Sequence, residues 1–191
     1  INDERFIRRA EIIWEKGTNR AEFFRGEVNK YGWVDTGSSF LPSEVVSAFL
    51  WAQLEDMDNI QAKRKRLWNL YYSLLSAALN AQPSTLNWSL PDLPPYATNN
   101  AHMFYIVCRN LEERSGLIKF LKEHDVMAPF HYLALHKSEY YLNPFEERPE
   151  LPNCDMYADC LVRMPMFYEL ELEQVDYICE LIKEYYTTLE K

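Results

Sequence analysis

Apolar side chains recur at helical spacing from the first residues of the chain. Asn2 or Asp3 can cap a helix that runs to about Lys16, and Gly17 provides its stop signal. The apolar stripe of this predicted helix comprises Phe6, Ala10, Ile13 and Trp14. We expect another part of the protein to cover this stripe.

Two further helices are predicted before residue 80. Pro42 at the first helical position and Ser43 open a helix that is apolar nearly all round and should therefore be buried. A long helix follows Asp56, and its basic run at residues 63–66 is interpreted as a solvated face, with a phosphate or nucleic-acid patch as the alternative. Residues 80–100 lack periodicity and contain four prolines, which indicates a connecting segment between subdomains.

The last ninety residues alternate between strand and helix patterns. Asn110 with Glu113 forms a capping box, and Asn153 can cap a short helix. Alternation of this kind predicts an α/β or α+β layer in which helices cover a small sheet. The predicted strands are residues 102–108 and residues 126–132, which Pro129 breaks. Residues 162–166 are a short strand or an extended piece, and the final amphipathic helix covers residues 172–189.

Composition narrows the function classes. The 191 residues carry 29 acidic and 20 basic side chains, a formal charge of −9 that argues against nucleic acid as a partner. No apolar run approaches the ~20 residues that span a bilayer, and the first residues do not resemble a signal peptide, so we expect a cytoplasmic protein without membrane partners. Four scattered cysteines with no C-x-x-C pair are expected to be buried thiols.

Common catalytic and metal-binding motifs are absent. The chain contains no G-x-G-x-x-G, Walker loop, H-E-x-x-H or G-x-S-x-G sequence, and we predict no metal site. His102 and His124 are interpreted as structural residues at the ends of elements. For His131 and His136, in a turn after a predicted strand, structural and functional roles stay equally open.

Small hydroxyl residues precede the helix that Pro42 opens. Ser38 and Ser39 lie just before its free N–H groups, an arrangement that suits a phosphate. The alternative is ordinary helix capping by Ser39 or Ser43.

Several sequence blocks follow one another along the chain: EKGTNR at residues 15–20, FFRG at 23–26, KYGW at 30–33, WVDTGSSFLPSE at 33–44, AFLWAQLE at 48–55, NAHMFYI at 100–106 and MPMFY at 164–168. In this order they resemble the C-terminal half of the DegT/DnrJ/EryC1/StrS family of sugar aminotransferases. The resemblance implies an α/β chain with the aspartate-aminotransferase-like fold of fold type I. Residues 1–80 would form the tail of the large cofactor domain, and residues 81–191 the small C-terminal domain.

The resemblance also implies chemistry and partners. The whole enzyme would use pyridoxal 5'-phosphate (PLP) to move an amino group from glutamate to the 4-keto carbon of a dTDP-4-keto-6-deoxyhexose, as a homodimer with shared active sites. Ser38 and Ser39 would contact the cofactor phosphate; the family motif G-x-N-x-R reads Gly37-Ser38-Ser39-Phe40-Leu41 here. The substrate would meet Asn19, Arg20, Arg25, His131 and His136, of which the arginines suit a diphosphate.

The family's Schiff-base lysine lies upstream of the residues that match. No lysine of this chain occurs in that context, so we predict no catalytic residue here and an inactive isolated chain. A start at Ile1, with a helix almost at once, indicates a chain that begins partway through a domain, and the resemblance implies the C-terminal part of a protein about twice this length. In the isolated chain we expect apolar surface to be exposed around Phe6, Ile13, Trp14 and the helix from Ser43 to Asp56, with self-association as the result. Two alternatives stay open: a free-standing, non-catalytic α/β binding module, and a family member used for sugar dehydration or regulation.

Overall fold

The chain divides into two compact units, Ile1–Asp56 and Met57–Lys191. The computed structural model describes residues 1–82, 86, 88–139 and 149–189. None of the helices in these ranges is long and apolar enough to cross a membrane.

The first unit is built from short helices joined by long loops. Asp3 caps a 3₁₀ turn, Glu4–Phe6, by accepting a hydrogen bond from the Arg5 N–H at 3.0 Å. The predicted first helix is confirmed, although it ends two residues early. The α-helices of this unit are α1 (Ile7–Trp14), α2 (Arg20–Phe24) and α3 (Glu44–Glu55).

The backbone after α1 crosses a later loop at Gly17. The Gly17 carbonyl accepts hydrogen bonds from the N–H groups of Val34 and Asp35, at 2.8 and 3.1 Å. Gly17 has φ +83°, and a Cβ built there would overlap the Asp35 carbonyl oxygen, so this crossing requires glycine.

The exposed apolar surface expected for the isolated chain is confirmed at Phe6, Trp14 and α3, whereas the burial expected for α3 from its apolar pattern is not observed. In α1 the buried side chain is Ile12, whereas Phe6 is 59% and Trp14 45% exposed. The apolar helix α3 contains no buried residue among its twelve, all of which the structure describes. Pro42 also lies outside α3, because Ser43 is the N-cap and its Oγ accepts from the Val46 N–H at 3.4 Å. The sequence pattern indicates that a helix face is apolar, but it does not indicate whether other residues of the same chain cover that face.

The second unit contains four helices and a small sheet among its described residues. Strands β1 (Tyr105–Val107) and β2 (Leu161–Arg163) pair antiparallel, with Ile106 opposite Val162. Helix α7 packs along α4, and α5 packs against both α6 and α7. The helices are α4 (Met57–Ala81), α5 (Leu111–Glu123), α6 (Pro152–Cys160) and α7 (Leu172–Leu189), and a 3₁₀ turn covers Leu135–Lys137.

One hydrophobic core organises this unit. Aromatic rings take part, since Tyr71 stacks on Phe104 with centroids 5.0 Å apart and Trp88 meets Tyr186 edge-on at 4.7 Å. Core side chains with no solvent exposure include Leu67, Tyr71, Leu75, Phe104, Ile106, Leu117, Leu121, Val162, Val175 and Ile182. These residues confirm the apolar stripes predicted for the long and final helices.

The predicted Asn110 cap of α5 is confirmed, whereas the Glu113 side chain accepts from the N–H of Arg109, the residue before the cap, and not from that of Asn110 as in a capping box. Asn110 Oδ1 accepts from the Glu113 N–H at 2.9 Å, while Glu113 Oε1 accepts from the Arg109 N–H at 3.1 Å. The Tyr186 hydroxyl donates to the same Glu113 oxygen at 2.6 Å, and Arg109 Nε donates to the other oxygen. A carboxylate that is 5% exposed is thereby satisfied by donors from α7 and from the loop before α5.

Several smaller expectations in this unit are corrected. Residues 126–132 form no strand; Phe130 makes one isolated bridge to Val162. Asn153 lies inside α6, because Leu151 is the N-cap and Pro152 takes the first turn. The predicted strand at residues 102–108 and the predicted strand or extended piece at residues 162–166 shorten to the three residues each of β1 and β2. The predicted connecting segment, residues 80–100, falls partly outside the described residues, at 83–85 and 87.

The basic run in α4 is only partly a solvated face. Lys65 and Arg66 are exposed, whereas Arg64 is half-buried and donates to the carbonyl oxygens of Ala101 and His102. A guanidinium carries several donors in one plane, which allows it to hold two successive carbonyls. Arg64 therefore anchors the segment that leads into β1.

Candidate functional site

The predicted cofactor contacts, Ser38 and Ser39, lie on the loop beside the end of α1. The Ser38 N–H donates to the Ile13 carbonyl at 2.9 Å, and the Ser38 carbonyl accepts from the Lys16 N–H at 3.3 Å. Ser39 forms a β-bridge with Glu15. Backbone hydrogen bonds thus fix this segment, while both serine residues are exposed.

The geometry allows a direct test of whether this loop suits a phosphate. The hydroxyls of Ser38 and Ser39 are donors on a fixed backbone, which fits one edge of such a group. The start of α3 fits less well, because Ser43 already caps it and Glu44 places a carboxylate in its first turn. Ordinary capping by Ser43 is therefore observed, and the two hydroxyls are the groups available to a phosphate.

Asn19, the N-cap of α2, connects the start of this helix to the loop that follows it. Its Oδ1 accepts from the Gly32 N–H at 2.9 Å, and its Nδ2 donates to Glu22 Oε2 at 3.2 Å. Glu22 is 9% exposed and also accepts from Arg8 Nε at 2.7 Å. The amide of Asn19 therefore has protein partners at both ends.

The two arginines predicted to bind a diphosphate have different surroundings. Arg25 forms a bidentate pair with Glu11, at 2.9 and 3.0 Å, and its Nε also donates to Glu27 at 2.7 Å. These two carboxylates raise the pKa of Arg25, with Glu27 contributing most. Arg20 makes one longer contact, 3.3 Å to Glu15, and lies 4.9 Å over the Phe24 ring. Arg20 is the more available of the two, because Arg25 would have to give up charged partners to bind an anion.

The second unit brings His131 and His136 to one cleft. This cleft, of about 600 Å³, lies between residues 131–136 and the start of α6, and most of its wall is apolar. His136 is 6% exposed and His131 is half-buried. Its other lining residues are Tyr132, Leu133, Ala134, Leu135, Pro149, Leu151, Cys154, Tyr157 and Ala158.

A carboxylate and an ammonium group accompany His136. Asp155 Oδ1 lies 3.1 Å from His136 Nε2 and 2.9 Å from Lys137 Nζ. The adjacent Lys137 ammonium lowers the pKa of Asp155, and His136 adds a smaller effect of the same sign. Within the described part of the chain, His136 Nδ1 has no hydrogen-bond partner, whereas Nε2 faces Asp155 Oδ1. The cleft therefore offers imidazole nitrogens and an aromatic, apolar wall to a ligand.

Sequence reasoning did not identify Asp155 and Tyr157 as neighbours of these histidines. About twenty residues separate them in the chain, and no motif spacing links the two segments. Only the packing of α6 beside the turn brings them together. Among the described residues, no group of three or more His, Cys, Asp or Glu side chains is arranged to hold a metal ion.

Comparison with known sequences identifies relatives. Residues 1–183 match the sequence model of the DegT/DnrJ/EryC1/StrS aminotransferase family. GDP-perosamine synthase of Escherichia coli O157:H7 is 23% identical over 178 residues, which cover 88% of this chain and 44% of that protein. The pleiotropic regulatory protein of Geobacillus stearothermophilus is 26% identical over 144 residues, 75% of this chain and 37% of that protein. The chain thus spans less than half the length of these curated relatives.

Solved structures agree on the fold. The aminotransferase TlmJ from Streptoalloteichus hindustanus superposes with a TM-score of 0.80 at 16% identity, over 99% of this chain and 47% of that one. The putative sugar aminotransferase Spr1654 from Streptococcus pneumoniae, in its PLP-form, gives 0.79 at 18% identity, over 98% and 45%. The expectation of an aspartate-aminotransferase-like α/β fold is confirmed, for about half of such a chain.

Proposed function

Because this chain belongs to the DegT/DnrJ/EryC1/StrS aminotransferase family, we propose that it is the C-terminal part of a PLP-dependent nucleotide-sugar aminotransferase. The observation that carries the proposal is the family match over residues 1–183. In this proposal residues 1–80 complete a large cofactor domain and residues 81–191 form the small domain. The enzyme is cytoplasmic and has neither nucleic acid nor a membrane as a partner.

The cofactor is pyridoxal phosphate, which the PLP- and PMP-forms of Spr1654 support. This cofactor supplies the electron sink for amino transfer when it is bound. The hydroxyls of Ser38 and Ser39 would donate to its phosphate from a backbone that is already fixed, so little ordering cost attends binding. With Leu41 where the family motif has arginine, these hydroxyls replace a charged contact with neutral ones.

The proposed substrate is a dTDP-4-keto-6-deoxyhexose, which receives an amino group from glutamate at its 4-keto carbon. Within the family, the enzyme type is that of dTDP-4-amino-4,6-dideoxygalactose transaminase, which would place it in cell-surface polysaccharide biosynthesis. The similarity to GDP-perosamine synthase makes a GDP-linked sugar the competing substrate to test.

Residue roles follow from the contacts in each unit. Arg20, with one long ion pair, is the first candidate for the substrate diphosphate, and Arg25 binds it only if Glu11 and Glu27 move away. Asn19 fixes the start of α2, where Arg20 lies. His131 and His136 orient the sugar nucleotide through their ring nitrogens at the cleft described above.

A homodimer with shared active sites is the proposed assembly. Helix α3 supports it, because six large apolar side chains on this one helix are between 47% and 79% exposed, and patches of this size rarely stay bare in a monomer. These are Val45, Val46, Phe49, Leu50, Trp51 and Leu54. Light scattering at micromolar concentration should report more than one chain, and Phe49→Glu should lower that mass. A monomeric mass for the unchanged protein would contradict the proposal.

Amino-transfer assays test the function directly. The full-length gene product, loaded with PLP, should form 2-oxoglutarate from glutamate when a dTDP-4-keto-6-deoxyhexose is supplied, and the 191-residue chain alone should not. A parallel assay with a GDP-linked sugar shows which nucleotide the enzyme accepts on its substrate. If the full-length product transfers no amino group to either sugar, the proposal fails.

A non-catalytic module is the second candidate function. It is favoured by the similarity to a relative named as a pleiotropic regulatory protein. In that case the 191-residue chain would bind a nucleotide sugar without turnover, and a gene that encodes only these residues would support it.

A further inference from the structure

Cys154 differs from the other cysteines of this chain. Cys108, Cys160 and Cys179 are buried, and burial raises the pKa of the thiols of Cys108 and Cys179 to about 12. Cys154 is exposed, in the first turn of α6. Thiol reactions require both a thiolate and access for the reagent, so the three buried residues are protected on both counts.

Cys154 lies where a modification of its sulfur would affect the cleft. Its side chain lines the 600 Å³ cleft that also contains His131 and His136. An adduct on its sulfur would therefore extend into the space where the two imidazoles lie.

A second feature marks this cleft as a ligand site independently of the cysteine. His136 is 6% exposed, and in the described part of the chain its Nδ1 has no hydrogen-bond partner, while its Nε2 faces Asp155 at 3.1 Å. Buried polar atoms are normally satisfied, so a buried Nδ1 without a partner in a cleft wall indicates a partner supplied by a ligand. A peptide-like adduct carries the amide and carboxylate groups that would supply one.

We propose that Cys154 is a modification site at which a low-molecular-weight disulfide reacts and fills the cleft beside His131 and His136. The Cys154 thiolate attacks one sulfur of glutathione disulfide and forms a mixed disulfide. The disulfide bond of the reagent breaks, and one glutathione leaves as a thiolate that takes a proton from water. Cys154 is oxidised and half of the reagent is reduced, so electrons balance, and a free thiol reverses the reaction.

The consequence for the enzyme rests on the proposed function. If the cleft receives the substrate, the adduct competes with it and activity becomes sensitive to the thiol redox state. The modification itself depends only on the exposure of Cys154 and the geometry of the cleft.

The experiment uses glutathione disulfide with the full 191-residue chain under native conditions. Intact mass and peptide mapping should show one glutathione, on Cys154, formed at least roughly tenfold faster than on the three buried cysteines. Cys154→Ser should show none. Histidine ring signals in NMR should shift for His131 and His136 on modification, while those of His102 and His124 stay in place as internal references.

A matched control separates the cleft from thiol exposure in general. Lys119, on α5, has a side chain that is 79% exposed and does not line the cleft. Lys119→Cys in the Cys154→Ser background should accept glutathione and leave the His131 and His136 signals unchanged. The inference is overturned if Cys154 is not modified, if buried cysteines react at the same rate, or if the adduct leaves both imidazole signals unchanged. None of these readouts involves amino transfer, so an inactive enzyme would defeat the proposed function and leave this result standing.

Discussion

Residues 1–56 and residues 57–191 bury their apolar side chains to very different extents. Across the first unit, all of which the structure describes, Ile12 is the one buried hydrophobic side chain, while the apolar helix α3 is exposed. The second unit encloses a continuous core around Tyr71 and Phe104. Hydrophobic burial, at about 25 cal/mol per Å², therefore stabilises the second unit far more than the first.

The first unit is held together mainly by ion pairs and backbone hydrogen bonds, and not by a hydrophobic core. Exposed ion pairs contribute about 0–1 kcal/mol each, so even a set of them is a weak substitute for burial. The pairs of this unit are Arg5–Asp3, Arg8–Glu22, Arg9–Asp35, Arg20–Glu15, Arg25–Glu11 and Arg25–Glu27. The difference teaches that an apolar sequence is no guarantee of an independent core, and that such a segment depends on what covers it.

The largest loss of stability in the first unit is expected from a substitution at Gly17, where the backbone after α1 crosses a later loop. Gly17→Ala places a Cβ against the Asp35 carbonyl at a positive φ, which should cost more than about 4 kcal/mol and unfold the unit. Hydrogen exchange at the Val34 and Asp35 amides should become fast. Gly26→Ala is the control: its φ is +74° but no atom lies within 4 Å, so it should cost only about 1–2 kcal/mol. Equal effects would refute a steric role for the crossing.

Matched leucine truncations compare the two units directly. Leu75→Ala in α4 removes a side chain with no exposure and should lower the free energy of unfolding by about 2–5 kcal/mol. At concentrations low enough to keep the chain monomeric, Leu50→Ala in α3, where the side chain is 52% exposed, should change it by less than about 0.5 kcal/mol. Urea unfolding followed by circular dichroism measures both. A large loss for Leu50→Ala in the monomer would show that residues of the same chain cover α3.

The buried Glu113 network adds a polar contribution to the second unit. Tyr186→Phe removes the hydroxyl that donates to Glu113 Oε1 and should cost about 1–3 kcal/mol, because a buried carboxylate oxygen loses a partner. Tyr177→Phe, at a half-exposed position on the same helix, should stay within about 0.5 kcal/mol. If the two variants are equally stable, the network contributes nothing measurable.

The smallest expected effect concerns Asp155 and its dependence on pH. Lys137 holds the pKa of Asp155 below its ordinary value of 3.8, so the pair stabilises the fold above that pH and the contribution is lost as pH falls through the lowered pKa. Lys137→Gln should raise the pKa of Asp155 and make stability less dependent on pH in the acid range. Carboxyl NMR titration measures the pKa, with Lys119→Gln as the control. An unchanged titration of Asp155 would contradict the pairing.

Local sequence signals predicted the helices of the second unit better than they predicted its strands and strand pairing. The long and final helices followed from apolar periodicity, and the Asn110 cap of α5 from its three-residue spacing to Glu113. The strand expected at residues 126–132 did not form, because Pro129 has no N–H to donate. Its carbonyl nevertheless accepts from the Arg163 N–H at 2.9 Å, which keeps this segment beside β2.

In the candidate site, too, the sequence predicted the residue types but not which of them pair with one another. Residue types pointed to Arg20, Arg25 and the two histidines, but the availability of each depends on partners distant in sequence. Glu11, fourteen positions before Arg25, pairs with its guanidinium group. Asp155, on α6, contacts His136. Charge type can be read from sequence, whereas charge pairing depends on distances that only folding sets.

The sequence by itself determined the family, the fold class, the principal helices and the Asn110 cap of α5, because these depend on residue identity and on periodicity within a few turns. Tertiary structure alone decided which apolar faces are buried, which arginines are neutralised, and that Cys154 shares a cleft with His131 and His136. Burial and electrostatic pairing act through space between segments far apart in the chain, and no local pattern encodes those distances.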